Sequence, residues 1–185
     1  YRAQFQKVFG TKVTKDGVGQ AIASFARSLL CGNSAFDRYA TGDQKAITLS
    51  AKAGLILFRE KALCETCHTG FNFTDEGYHN IGVGMDKPKP DLGRYSVTKK
   101  ESDKGAFKTP TLRNITASGP YLHDGTSKSL AEVIEFYNKG GIKNPHLSKE
   151  IKPLNLTPKE KADLVSFLKS LSCPDLQVAA PALPR

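Results

Sequence analysis

The sequence predicts an all-α fold with long irregular loops, and three observations carry that prediction. Apolar residues recur at helical spacing in four segments, capping-box patterns mark two helix starts, and few stretches alternate as strands do. Residues 16–30 set Val18, Ile22, Phe25, Ala26, Leu29 and Leu30 on one apolar face, and Gly32-Asn33-Ser34 ends that helix. Residues 48–62 form a second helix, opened by Thr48 or Ser50 and carrying Leu55, Ile56, Leu57 and Phe58. Ser129-x-x-Glu132 opens a third, with Leu130, Val133, Ile134 and Tyr137 on one side and Gly140-Gly141 as its stop. Thr157-Pro158-Lys159-Glu160 opens a fourth, with proline at the first helical position. That helix turns Leu164, Val165, Leu168 and Leu171 inward and ends before Pro174.

From Thr69 to Asp124 no helical period survives, and Gly, Pro, Asp and Asn recur, as in "HNIGVGMDKPKPDLGRYS". A loop of this length inside a compact domain is either disordered or functional. Tyr78, Ile81, Val83, Tyr95, Phe107, Leu112 and Ile115 punctuate it, which predicts a loop packed onto something. The tail "LQVAAPALPR" reads as an extended terminus, and there is no internal repeat.

Composition narrows the class. Across 185 residues, 39% hydrophobic and 24% charged are ordinary globular values, which argues against wholesale disorder. No apolar run reaches the roughly 18 residues a membrane helix needs. The net charge is +9, but the lysines are scattered and no aromatic-flanked basic cluster appears, so nucleic-acid binding is not expected. Lys87, Lys89, Lys99, Lys100, Lys104 and Lys108 offer at most a basic edge for an acidic donor protein. The sequence starts at Tyr1 with no charged stub and apolar stretch behind it, so any export signal is expected to have been removed or left out.

The chemistry concentrates in "LCETCHTG", residues 63–70. A structural zinc site needs a second ligand pair, and the other cysteines, Cys31 and Cys173, are solitary. A thioredoxin-like dithiol needs a βαβ setting, which the pattern lacks. Covalent haem attachment needs two thiols for the vinyl groups and an imidazole directly after the second. Cys64, Cys67 and His68 supply all three. Thioether haem is made on exported polypeptides, so a periplasmic location follows, and there Cys31 and Cys173 could pair. The sixth iron position stays open on spacing alone. Met85, His79, His123 and His146 each carry a suitable donor, and Tyr137 reads first as a core tyrosine.

Several longer stretches go further. "FARSLLCGNSAFDRY", "CETCHTG", "DLGRYSVT", "FKTPTLRNITASGPYLHDGTSKSLAEVIEFYNKGG" and "LTPKEKADLVSFLKSL" resemble the C-terminal half of bacterial di-haem cytochrome c peroxidases and their MauG-type relatives, in the same order and over nearly the whole chain. The resemblance implies a cytochrome c-like haem domain over 46–175, a segment carried over from the preceding peroxidatic domain at 1–45, and a tail at 176–185. It implies haem c on Cys64 and Cys67 with His68 as proximal ligand, and Tyr137 at the distal position where classical peroxidases carry methionine. Arg113 and His123 match residues beside the haem. The backbone carbonyls of Ser118 and Pro120 match a calcium-binding segment. The implied activity is that of the electron-relay half of a peroxide-using oxidoreductase, with hydrogen peroxide, a second haem domain and an electron-donor or substrate protein as partners. A stand-alone mono-haem electron-transfer cytochrome is the alternative. The first Cys-x-x-Cys-His of the family and its bridging tryptophan are absent from this sequence, which contains no Trp.

Overall fold

The computed structural model describes residues 1–173, so the tail reading at 176–185 lies outside the described residues. Two compact units are distinguished: Tyr1–Gly32, and Asn33–Cys173.

In the first unit, α1 (Arg2–Phe9) ends at Gly10, whose left-handed backbone lets its N–H reach the Gln6 carbonyl. Helix α2 (Lys15–Ser28) starts at Thr14, whose hydroxyl accepts from the Gly17 N–H. The Phe5 ring lies where a side chain at position 17 would stand, so any larger residue there would displace the ring. The helix stops at Ser28, short of the predicted Gly32, so Leu29 and Leu30 fall outside it; the rest of the predicted apolar face forms but is uncovered, with Ile22 and Phe25 64% and 52% exposed.

The second unit is helical with irregular connections, as the sequence predicts. Helix α3 (Ala35–Ala40) is held by a reciprocal box between Ser34 and Asp37. Helix α4 (Leu49–Arg59) is capped by Thr48, and α7 (Pro158–Ser170) by the predicted Thr157–Glu160 box with Pro158 in its first turn. Helix α6 (Leu130–Asn138) realises only half of its box. Ser129 accepts from the Glu132 N–H, but the Glu132 carboxylate takes the Lys128 N–H at 2.6 Å instead. Helices α4 and α7 pack closely because Gly54 lets the α7 backbone at Asp163 and the Phe167 side chain approach.

Leu55, Phe58, Phe73, Leu112, Ile134, Leu164, Phe167, Leu168 and Leu171 form the buried centre. Of the apolar residues predicted on α4, Ile56 instead faces solvent at 55% exposure. The long loop contains elements too short to leave a periodic signal. These are a four-residue helix α5 (Tyr95–Thr98) and an antiparallel pair, β1 (Tyr78–His79) with β2 (Phe107–Lys108). The loop is packed as expected, with Val83 and Leu112 buried. No helix among the described residues is long and apolar enough to cross a membrane.

Candidate functional site

Helix α4 delivers the chain to the motif. Leu63 takes a left-handed backbone, φ 50°, and turns it into one 3-10 turn over Cys64–Thr66. The His68 N–H then closes on the Cys64 carbonyl at 2.9 Å, so the two residues stand one turn apart. Gly70 reverses the chain, again with positive φ, and the loop folds back on the motif: Thr74 N–H bonds to Thr69 O, and Asp75 N–H to Cys67 O at 2.7 Å.

That return fixes the imidazole. His68 Nδ1 lies 2.9 Å from the Phe73 carbonyl. A carbonyl can only accept, so Nδ1 carries the proton and the Nε2 lone pair is left for a metal. Burial lowers the His68 pKa, which favours the same neutral form. Phe73 can hold this position because its ring is locked in the core. It packs edge-on to Phe36, Phe58 and Phe167 with centroids 5.4, 6.1 and 6.1 Å away.

Cys64 and Cys67 are free thiols. Burial pushes the Cys64 thiol up to about 12. Burial, with Asp75 and Glu150 nearby, pushes Cys67 up to about 11. A catalytic dithiol needs a depressed thiol pKa, so this is the wrong setting for thiol–disulfide exchange. It suits thiols meant to be capped covalently.

Tyr137 occupies the last turn of α6, whose end is fixed by Asn138. The Asn138 side chain accepts from Leu156 N–H at 2.8 Å, and its carbonyl accepts from Leu154 N–H. The Tyr137 pKa is raised, first by burial and then by charge on Cys64 and Cys67, so its hydroxyl senses both motif cysteines. That hydroxyl makes no hydrogen bond among the described residues. Cys64, Cys67 and His68 stand in one stretch, and charge on the two cysteines acts on Tyr137.

The other sequence candidates are engaged elsewhere. Met85 packs its sulfur against Gly105, where a Cβ would come within 2.6 Å of it. His79 Nε2 bonds to Asp75 at 2.7 Å. The exposed His123 stacks on Phe107 at 3.6 Å, and half-buried His146 follows an Asn144 turn. Arg113 is buried; its Nη1 is 2.7 Å from both Asp37 oxygens and its Nε donates to Phe71 O. The guanidinium also lies 4.3 Å over the Phe71 ring. Ser118 and Pro120 are exposed, and their carbonyls accept no hydrogen bond among the described residues. Of the basic edge, Lys87, Lys104 and Lys108 are paired with Asp124, Glu101 and Glu76.

Sequence reasoning missed Phe73 and Asp75. Their signal was weak: an aromatic and an acid in "FNFTDEGYHN", with Asp75 four residues before His79.

The donor set fits a haem c. Two protonated thiols and a neutral imidazole held through Nδ1 stand in one stretch, with the Tyr137 phenol on the last turn of α6 and exposed Leu63 and Phe71 flanking the motif in sequence. Fold and site thus define a small helical domain organised around one Cys-x-x-Cys-His segment.

The comparisons agree. The family pattern described as "Di-haem cytochrome c peroxidase" matches residues 1–45. The chain is 41% identical to the methylamine utilization protein MauG of Methylorubrum extorquens, covering 100% of this chain and 52% of that protein. It is 36% identical to the cytochrome-c peroxidase IdrP1 of a Pseudomonas species, covering 93% and 54%. Among solved structures, a MauG-like protein associated with microbial copper homeostasis superposes with a TM-score of 0.75 at 31% identity, covering 89% of this chain and 59% of that one. The chain belongs to the bacterial di-haem cytochrome c peroxidase/MauG family, which it matches as one haem domain. It spans about half the length of the curated relatives it matches.

Proposed function

We propose that this chain is the electron-relay haem domain of a periplasmic, peroxide-using di-haem oxidoreductase. Cys64 and Cys67 would hold haem c through thioethers, and His68 Nε2 and the Tyr137 phenolate would bind its iron. When bound, the haem supplies one-electron redox chemistry. The protein's own part is to orient His68 through the Phe73 carbonyl and to keep the Tyr137 oxygen near the attachment cysteines without a competing hydrogen bond. The observation that carries the reading is a Tyr137 phenol with no hydrogen bond among the described residues, its pKa raised by burial and by charge on the motif cysteines. An anionic oxygen donor favours oxidised iron, where a methionine sulfur would favour reduced iron. Such a haem suits sharing oxidising equivalents with a neighbouring haem, and oxidation of a protein or organic substrate over simple peroxide removal.

Two further observations support a missing partner domain. The apolar α2 face stands uncovered, and the chain spans half of its relatives. A second haem domain, on the same polypeptide or a separate one, would cover that face and carry the peroxide chemistry. The unengaged Ser118 and Pro120 carbonyls are offered as calcium ligands completed from that half. Arg113 Nη2 and His123 would lie at the haem edge.

The test is Tyr137→Phe in haem-loaded protein. The ferric absorption spectrum should change from six-coordinate to five-coordinate or rearranged, and Tyr137→Met should raise the midpoint potential. An unchanged ferric spectrum in Tyr137→Phe removes the phenolate and returns the sixth position to Met85 or a histidine. One covalent haem per chain by mass, with poor peroxide turnover by these 185 residues alone, is the accompanying expectation. Efficient turnover by the chain alone would contradict the partner-domain reading.

A further inference from the structure

Two residues beside the attachment motif, Asp75 and His79, have no part in holding the haem. Cys67 Sγ, an Asp75 carboxylate oxygen and a His79 ring nitrogen all lie within 4.8 Å of one another. The cluster is built rather than accidental. Asp75 N–H is tied to the Cys67 carbonyl at 2.7 Å. One Asp75 oxygen accepts the Gly77 N–H at 2.7 Å, and the other is 2.7 Å from His79 Nε2. His79 is itself held in register by the β1–β2 pair, opposite Phe107. The Asp75 and His79 side chains are only 24% and 27% exposed, so solvent screens their charge incompletely.

We propose that the Asp75–His79 pair is a positioning and tuning element for the haem held through Cys67, with the Asp75 carboxylate setting the reduction potential and His79 attenuating it. The proposal rests on the haem c reading above. With Cys67 as a thioether, a carboxylate within 4.8 Å of its sulfur would act on the group held there. A negative charge there stabilises the oxidised, more positive centre more than the reduced one. Burial works against the ionised carboxyl, but the hydrogen bonds from His79 and Gly77 overcome it and hold the Asp75 pKa at about 2, so the charge is present at neutral pH. The hydrogen bond from His79 spreads part of that charge. Protonated or neutral, the imidazole therefore opposes the carboxylate's effect.

This gives a signed test. Asp75→Asn keeps shape and a hydrogen-bond acceptor for His79 but removes the charge, so the Fe(III)/Fe(II) midpoint potential should shift upward. His79→Ala leaves the carboxylate without its imidazole partner, so the potential should shift downward. Glu76→Gln removes an equal charge from an exposed neighbour paired with Lys108, and should move the potential less than Asp75→Asn. The readouts are spectroelectrochemical titration and intact mass of haem-loaded protein. Shifts of the same sign in the Asp75 and His79 variants, or no shift in either, overturn the proposal. Loss of covalent haem from either variant also overturns it, since the pair would then serve attachment rather than tuning. A wild-type chain without covalent haem defeats the haem reading instead, and the mass separates that failure from the others.

Discussion

Phe73 links the core to His68, and truncating it tests that link. Its ring is 6% exposed and touches three other phenylalanines. Removing a buried phenyl ring costs about 3–5 kcal/mol, a large share of the roughly 5–15 kcal/mol that holds a domain together. At about 2–4 °C per kcal/mol for a chain of this size, Phe73→Ala should lower Tm by roughly 6–20 °C. Backbone strain adds a second, sharper expectation. Phe73 sits at φ 51°, in the left-handed region, where a non-glycine residue costs about 1–2 kcal/mol. Alanine would keep that cost while losing the ring that offsets it. Glycine would relieve it and surrender about 0.4–1 kcal/mol through its freer unfolded chain. Phe73→Gly should therefore be as stable as Phe73→Ala or slightly more so, against the usual order. Urea denaturation of haem-loaded protein, followed by far-UV circular dichroism, measures both. A Phe73→Gly protein more than about 1 kcal/mol below Phe73→Ala would refute the strain argument. A Phe73→Ala protein within about 1 kcal/mol of wild type would refute the anchoring argument.

Two other perturbations follow from the packing around the site. Asp37→Asn strips the partner from the buried Arg113 guanidinium and should cost about 3 kcal/mol in the same denaturation assay; a cost under about 1 kcal/mol would mean that solvent already serves Arg113. The pH dependence follows from the same pair. Burial alone would raise the Asp37 pKa, but the Arg113 and Ser34 hydrogen bonds outweigh it and hold it below its ordinary value. The folded pKa is thus lower than the unfolded one, so the ion pair's contribution is complete above about pH 4 and fades as acid carries the pH down through the folded value. Acid unfolding should begin at higher pH in Arg113→Leu than in wild type, and coincident acid curves would contradict this. Gly54→Ala should destabilise by about 1–3 kcal/mol, although helix propensity alone favours alanine by about 1 kcal/mol. The added methyl would collide with the Asp163 backbone, and an unchanged or raised Tm would show that α4 and α7 can part freely.

Helices with a repeating apolar stripe and a cap were readable residue by residue, because both signals are local. Thr48, Ser129 and Thr157 each accept the predicted backbone N–H. Exposure was less readable. The pattern identifies Ile22 and Phe25 as a face but cannot say whether anything covers it, since that depends on parts of the fold outside the segment. The two-residue strands β1 and β2 escaped notice because a period needs more than two residues to appear. Within the site, Cys64, Cys67 and His68 were evident from adjacency. Tyr137 stands 69 positions beyond His68, and only its likeness to relatives raised it above a core tyrosine.

The long loop shows why such sites resist reading by pattern. Little of what fixes residues 69–113 is apolar periodicity; most of it is single polar side chains bonding to distant backbone. The Thr74 hydroxyl donates to the Thr109 carbonyl at 2.7 Å, and Thr111 donates to Asn72 O at 2.6 Å. Arg113 bonds to Phe71 O, and the fully buried Asn80 bonds to Lys104 O and Asn144. All but the Asn144 bond tie the strip after the motif to the strip before α6, so the carbonyl that orients His68 is held from both sides. A hydrogen bond of this kind stabilises by only about 1 kcal/mol. It is nonetheless directional, and direction is what orients the His68 ring. The helices therefore provide stability that the sequence advertises, whereas the loop provides orientation through isolated threonines, an asparagine and an arginine that look ordinary until the backbone partners are seen.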